Sequence, residues 1–323
     1  MDIGIALPTM ATGFTRTTFV EWCIGIDEGP YSSISAGERI TFHNPELLVT
    51  NTAAAALTER VQVITNVAVL PLHRPAMLAK QLATLDVLAT GRLVVGVGVG
   101  GREQDYRSLD IPFDGRHERL DAGVAELRRL WSGGSAYDGG QPVGPVPHTP
   151  GGPPLWAAAM GPKSMARAAK WADGMTGFSI AADPDEIARC NRMALEAWAD
   201  EGRSERPRLV SGSFYLLGGP DADAELKRFA GAYLAVFGTR AADALSQMVG
   251  LSSSARLLDS LAAAEAAGCD EFVLVPGTVD PDCLDRRRAR SSPRRAPSHV
   301  RARRWIRGGR RRRQRACRAR LPL

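Results

Sequence analysis

VQVITNVAVLPLHRPAMLAKQLATLDVLATGRLVVGVGVGG, residues 61–101, is the stretch that decides the fold. Its first ten residues are rich in Val and Ile, the composition of a buried strand. Pro75 opens a helix, since a proline at the first helical position gives up only an amide that would lack a partner anyway. Leu78, Leu82, Leu85 and Leu88 mark the helix's apolar face, and Gly91 is expected to close it at C′. Residues 93–99 then return to a Val-rich strand. Strands joined through a helix must pair in parallel.

The alternation extends in both directions. Toward the N-terminus, IGIAL (3–7) reads as a strand ended by Pro8. Thr18 and Glu21 have the spacing of a capping box, residues 31–36 form a second strand, and Asn44-Pro45 caps a helix to about residue 60. Toward the C-terminus, Leu120, Val124, Leu127 and Trp131 make a helical stripe ended by Gly133. Residues 133–154, dense in Gly and Pro, form a long surface loop. Strands follow at 155–160, 175–180, 209–217 and 271–275. Between them lie helices at 163–173, from an Asp183-to-Glu186 box, and at 224–237 and 255–267. Eight strand units predict an α/β fold, a (β/α)8 TIM barrel of the usual length of about 250 residues, spanning 1–285 as one domain.

The helix expected after the eighth strand has no apolar stripe. Asp280-Pro281 resembles its start, but residues 286–323 hold 17 Arg and no Asp or Glu, whereas residues 1–285 carry 24 Lys and Arg against 35 Asp and Glu. The folded part is therefore acidic, and the overall charge of +6 says nothing about nucleic acid for that part. The 286–323 segment reads as an atypical basic tail in place of the last helix, either disordered or the product of a frame slip in a GC-rich gene. Contact with nucleic acid is expected only through it. No apolar run reaches the roughly 18 residues of a membrane span, and Asp2 and Pro8 leave no room for a signal peptide, so a cytoplasmic protein without membrane contact is expected. Five scattered cysteines without a C-x-x-C pair suggest buried thiols, with neither disulfides nor a metal site.

In such a barrel the site lies at the carboxyl ends of the strands. H-E-x-x-H, G-x-S-x-G and Walker patterns are absent. Gly96, Gly98 and Gly101 match G-x-G-x-x-G, but residues 102–115 contain Pro112 and Gly115, so no helix is expected directly after it and the dinucleotide reading is weak. Met160-Gly161-Pro162-Lys163-Ser164 instead runs from a strand end into a helix N-terminus, where the amides of Gly161, Lys163 and Ser164 suit a phosphate. An ordinary turn with proline at the first helical position is the other reading.

Glu38, the run from Val67 to Pro75, Ala79 to Asp86, Gly91 to Gly101, the helix from Arg119 to Trp131, Pro154-Leu-Trp and Ala172-Asp-Gly174 resemble the luciferase-like monooxygenase superfamily over about residues 1–280. The resemblance implies a TIM-barrel oxidoreductase or monooxygenase. It implies a reduced deazaflavin, coenzyme F-420, or FMN as cofactor and a small organic molecule as substrate. Asn66 and Val67 match the family's non-prolyl cis peptide behind the ring, and Ala159 through Ser164 match the phosphate turn. Ala158-Ala-Met-Gly-Pro162 looks like the turn of deazaflavin-dependent members, which makes F-420 the preferred cofactor. Glu38 and Glu103 match acidic pocket positions, with Glu103 the candidate general acid or base. Many relatives carry His after the strand-two acid. This chain has Arg39, which stays protonated and is expected either to anchor an anionic substrate or the cofactor tail, or to pair with an acid on the rim. Phe178, at a strand end, is a further substrate contact. His43 and His73 read as structural. Relatives often dimerise, and a homodimer is one arrangement left open. Two other classes stay open too: a non-redox TIM-barrel enzyme acting on a phosphorylated substrate, and a binding protein acting through its basic tail.

Overall fold

A computed structural model describes residues 1–284. Eight strands run in chain order around a closed, wholly parallel barrel. They are β1 (Asp2–Ala6), β2 (Ser33–Ala36), β3 (Gln62–Val69), β4 (Leu93–Gly98), β5 (Leu155–Ala157), β6 (Gly174–Thr176), β7 (Arg208–Tyr215) and β8 (Glu271–Pro276). The helices are α1 (Arg16–Glu28), α2 (Leu47–Leu57), α3 (Pro75–Leu88), α4 (Glu103–Ser108), α5 (Arg116–Trp131), α6 (Pro162–Ala168), α7 (Pro184–Asp200), α8 (Ala222–Leu234), α9 (Thr239–Ser246) and α10 (Ser254–Ala266). The expected (β/α)8 TIM barrel is present. The basic tail at 286–323 lies outside the described residues.

The barrel interior is filled by Ala6, Ile64, Val94, Trp156, Val210 and Val273. The larger apolar layer between barrel and helices includes Leu78, Leu82 and Leu85 of the predicted α3 stripe and Leu120, Val124, Leu127 and Trp131 of α5, whereas Leu88, expected on the same α3 face, is exposed at the helix end. Trp22 is fully buried and donates its indole N–H to the Val279 carbonyl at 2.8 Å. Burial pushes the Cys23 thiol up to about 12, which keeps it in its apolar, uncharged form. No helix among the described residues is long and apolar enough to cross a membrane.

Several local expectations change. The cap of α1 is Thr15, which forms a reciprocal box with Thr18. The cap of α2 is Glu46, whose carboxylate accepts from the Val49 N–H at 2.6 Å, while Asn44 donates to the neighbouring Pro45 carbonyl. Helix α3 closes with Thr90, at φ 51°, in the left-handed position and Gly91 one residue later; Thr90 N–H bonds the Val87 carbonyl and Gly91 N–H that of Asp86. Asp183 caps α7, but Glu186 accepts from the Ser179 hydroxyl instead of closing a box. Strands β5 and β6 are three residues each, shorter than expected. Helices α4 and α9 are additional: α4 opens five residues beyond β4, where none was expected, and α9 extends the region after β7.

Candidate active site

A crevice crosses the mouth of the barrel at the carboxyl ends of the strands. One half, of about 270 Å³, is lined mainly by apolar groups, among them Ala158, Ala159, Met160, Phe178, Phe214 and Val275. The other, of about 240 Å³, holds Glu38, Arg39, Arg102, Asp105 and Tyr106. Met10, Gly37, Asn66, Val67 and Tyr233 line both. A larger cavity of about 690 Å³ lies outside the mouth, along the 70–75 loop and α5. It stands apart from the strand ends, where chemistry in this fold sits.

The floor is set by the β3–β4 pair. The Asn66–Val67 peptide is cis, and the β3–β4 register shifts between Thr65 and Ala68. Asn66 accepts from the Thr176 hydroxyl at 2.9 Å, which ties β3 to β6 across the barrel. The β4 glycines fit this backbone. A Cβ on Gly96 would lie 2.3 Å from the Thr65 carbonyl oxygen and 3.3 Å from a Val67 methyl, and one on Gly98 would lie 3.2 Å from the other. Gly96 and Gly98 of the formal G-x-G-x-x-G match thus serve strand packing, whereas Gly101 lies beyond β4 on the wall of the polar half, and the α4 that follows is six residues long. A Cβ on Gly37, likewise on the crevice wall, would meet the Asn66 carbonyl at 2.9 Å. The result is a crevice lined at its centre by Gly37, Asn66 and Val67, with an apolar half on one side that suits a planar heterocycle.

Glu38 stands at the edge of the polar half with a side chain 3% exposed. One oxygen accepts from the Val69 N–H at 2.6 Å and the carboxylate meets His73 Nε2 at 2.9 and 3.1 Å. Burial alone would lower the His73 pKa, but the hydrogen bond and charge of Glu38 raise it overall. His73, expected to be structural, is therefore joined to a crevice carboxylate. Glu103 is exposed on the first turn of α4 and lines neither half. The inward acid is Asp105, two positions on, whose carboxylate accepts from the Thr41 N–H at 2.8 Å and from Arg102 at 3.1 Å. Burial opposes ionisation of Asp105, yet the Thr41 bonds and the Arg102 charge lower its pKa. Glu103, the expected acid or base, is exposed away from both halves of the crevice and so lacks the placement that role needs.

Arg39 does not form the rim ion pair. It is 8% exposed, its guanidinium lies 3.5 Å from the Tyr233 ring centroid and 4.7 Å from that of Phe42, and Nη2 donates to the Tyr233 carbonyl at 2.9 Å. Phe178 does line the apolar half, edge-on to Phe214 at 4.7 Å. In the 158–164 turn, Ala159 and Met160 line the crevice, whereas Gly161, Pro162, Lys163 and Ser164 lie beyond it. The Ser164 hydroxyl bonds both the N–H and the carbonyl of Gly161, so it caps its own helix. The donors left at this end are the first-turn amides of Lys163 and Ser164, which by helix geometry have no intrahelical acceptor. Tyr233, Phe214, Thr176 and Met10 complete the crevice without having been singled out from sequence.

A profile of the luciferase-like monooxygenase family matches residues 1–249. The chain belongs to the luciferase-like monooxygenase family. The uncharacterized protein Rv0953c of Mycobacterium tuberculosis is 33% identical to it over 166 residues, covering 49% of this chain and 58% of that protein. The chain spans about half the length of the curated relatives it matches. Among solved structures, a coenzyme F-420 dependent tetrahydromethanopterin reductase from Methanopyrus kandleri superposes with a TM-score of 0.69 at 15% identity, covering 88% of this chain and 96% of that one. The oxygenating constituent of 3,6-diketocamphane monooxygenase from Pseudomonas putida, a type II Baeyer-Villiger monooxygenase in complex with FMN, superposes with a TM-score of 0.66 at 17% identity, with coverages of 88% and 96%. At these identities the likeness of this luciferase-like chain to either structure is one of fold.

Proposed function

We infer that the chain is an oxidoreductase that holds a reduced flavin-type coenzyme in the crevice and uses it on a small organic substrate, with coenzyme F-420 preferred and FMN the alternative. The observation that carries this reading is the crevice itself, whose two halves meet at Asn66 and Val67 over a floor that the β4 glycines make room for. Family membership supports the redox class. The Ala158-Ala-Met-Gly-Pro162 turn, similar to that of deazaflavin-dependent members, supports F-420. When bound, the deazaflavin supplies a hydride, and FMN can in addition activate oxygen.

The residues present suit such a group. Asn66, Val67, Ala159 and Met160 would hold the ring system. Gly161 and Pro162 shape the turn that presents the amides of Lys163 and Ser164 to a phosphate. Phe178 and Arg39 wall the space left for the substrate. Glu38 serves as the catalytic carboxylate: when the reduced coenzyme gives hydride to the substrate the product must gain a proton, which His73 Nε2 holds against the Glu38 oxygens and Glu38 would relay at the crevice edge.

The test is an anaerobic titration of the full chain with reduced F-420 and with reduced FMN, followed by absorbance. Tighter binding of F-420 is expected. Tight binding of FMN without F-420 would reverse the preference, and binding of neither would overturn the oxidoreductase reading.

A further inference from the structure

The polar half of the crevice holds one more positive charge than its acids settle. Glu38 is engaged by the Val69 N–H and His73, and Asp105 by Thr41 and Arg102. Arg39, which lines the same half, forms no ion pair with any carboxylate among the described residues. Its Nη2 has the Tyr233 carbonyl, and its Nη1 is buried without a hydrogen-bond partner. A guanidinium stays charged at any ordinary pH, and a buried charge with no carboxylate in contact is costly, the Asp105 charge reaching Arg39 only through space. The ring faces of Tyr233 and Phe42 recover part of that cost, but they present only a quadrupole and leave donors unused.

We propose that Arg39 is the specificity-determining residue for a substrate bearing a carboxylate, seated between the ends of β2 and β4. This deepens the functional reading above and rests on it, since it takes the crevice as the substrate site. Arg39 offers what a carboxylate needs: a fixed, planar fork held by aromatic stacking, with a free donor nitrogen. Arg102 stands on the same wall with its charge already committed to Asp105. Nη1 is covered in this structure, so the anion enters with a shift of side chains lining this half, among them Val236 and Phe237.

The cofactor's own anionic tail is the other source of such a group, and the layout argues against it. None of residues 158–164 lines the half that contains Arg39, and β2 stands three strands from β5 in the closed barrel. The cofactor's tether and the Arg39 anion therefore occupy separate ends of the crevice.

The experiment measures ligand-observed NMR affinities of the full chain for matched pairs: acetate and acetamide, hexanoate and hexanamide, benzoate and benzamide. Each pair is run alone and with saturating F-420 or FMN. In at least one pair the acid is expected to bind more tightly than its amide by about tenfold, with a preference that falls as salt is raised. Arg39→Gln should abolish the preference, Arg39→Lys should restore part of it, and cofactor should leave it intact. Equal binding in every pair, a preference that survives Arg39→Gln, or its loss when cofactor binds overturns the proposal. If Arg39→Gln does not fold, the wild-type pairs and Arg39→Lys still decide, because a preference indifferent to salt and to the lysine also overturns it. Cofactor binding is read in the same samples. Cofactor bound without acid preference sinks this inference alone, and acid preference without cofactor binding sinks the oxidoreductase reading alone.

Discussion

The two ends of the barrel settle their buried charges differently. At the amino end of the strands, Glu271 is fully buried and both of its oxygens are occupied: Oε1 accepts from the Ser32 and Ser33 hydroxyls at 2.7 and 2.6 Å, and Oε2 from Arg208 at 3.1 Å. Arg208 also reaches Asp2 at 2.6 Å. The chain is packed so closely there that a Cβ on Gly4 would fall 2.3 Å from the Ser33 hydroxyl oxygen. At the carboxyl end, Glu38 keeps a histidine proton beside an open crevice and Arg39 keeps an unmatched charge. Charges paired with carboxylates at one end, where Arg208 Nε alone of the network lacks a partner, and an arginine with no carboxylate in contact at the other fit the division of stability from binding expected of this fold.

Glu271→Ala should have the largest effect on stability. It takes from Arg208 its buried partner, leaving it Asp2, and from the buried Ser33 and half-buried Ser32 hydroxyls their acceptor, and we expect a loss of about 3 kcal/mol, read by urea denaturation, with cofactor affinity in the surviving folded protein unchanged. A selective loss of cofactor binding at full stability would break the division between the two ends.

Glu38→Gln should cost less, about 1–2 kcal/mol, and its cost should depend on pH. The folded-state pKa of His73 is raised above its ordinary value of 6.5, so the stabilisation it contributes is fully present below that value and is lost as pH rises through the raised pKa. The destabilisation by Glu38→Gln should accordingly be greater at pH 6 than at pH 9. A cost that is flat with pH, in paired denaturation curves, would show that the pair holds no extra proton. The smallest effect is expected at Glu103→Gln, on the exposed turn of α4: within about 0.5 kcal/mol and with turnover kept. A collapse of turnover on that change would return Glu103 to the chemistry.

The barrel was legible because its signals are local. The Val-rich β3 and β4, the leucine stripe of α3 and the Pro75 start each lie within a few residues, and repeating that unit eight times leaves one architecture. Glu38 and Phe178 were placed at the mouth for the same reason, since each follows a strand end, whereas Asn66 and Val67, inside β3, were placed by the family resemblance. What stayed hidden depends on distant partners. His73 meets Glu38 across 35 positions, and nothing within the P-L-H-R-P run marks it. Tyr233 arrives from α8, beyond β7, to stack on Arg39, so the expectation of a rim acid beside Arg39 had no local cue to correct it. Glu103 and Asp105 are two residues apart on one short helix, and only the burial of Asp105 with Tyr106 decides which acid turns inward.

The most direct test of the account is cofactor titration of the wild-type chain beside Ala158→Phe, which puts a ring into the apolar half of the crevice. Wild-type protein should take up one equivalent of F-420 or FMN, and the variant, with an unchanged melting curve, should take up none. Undiminished binding by the variant, or no binding by the wild type, would contradict the claim that the crevice over Asn66 and Val67 is the coenzyme site.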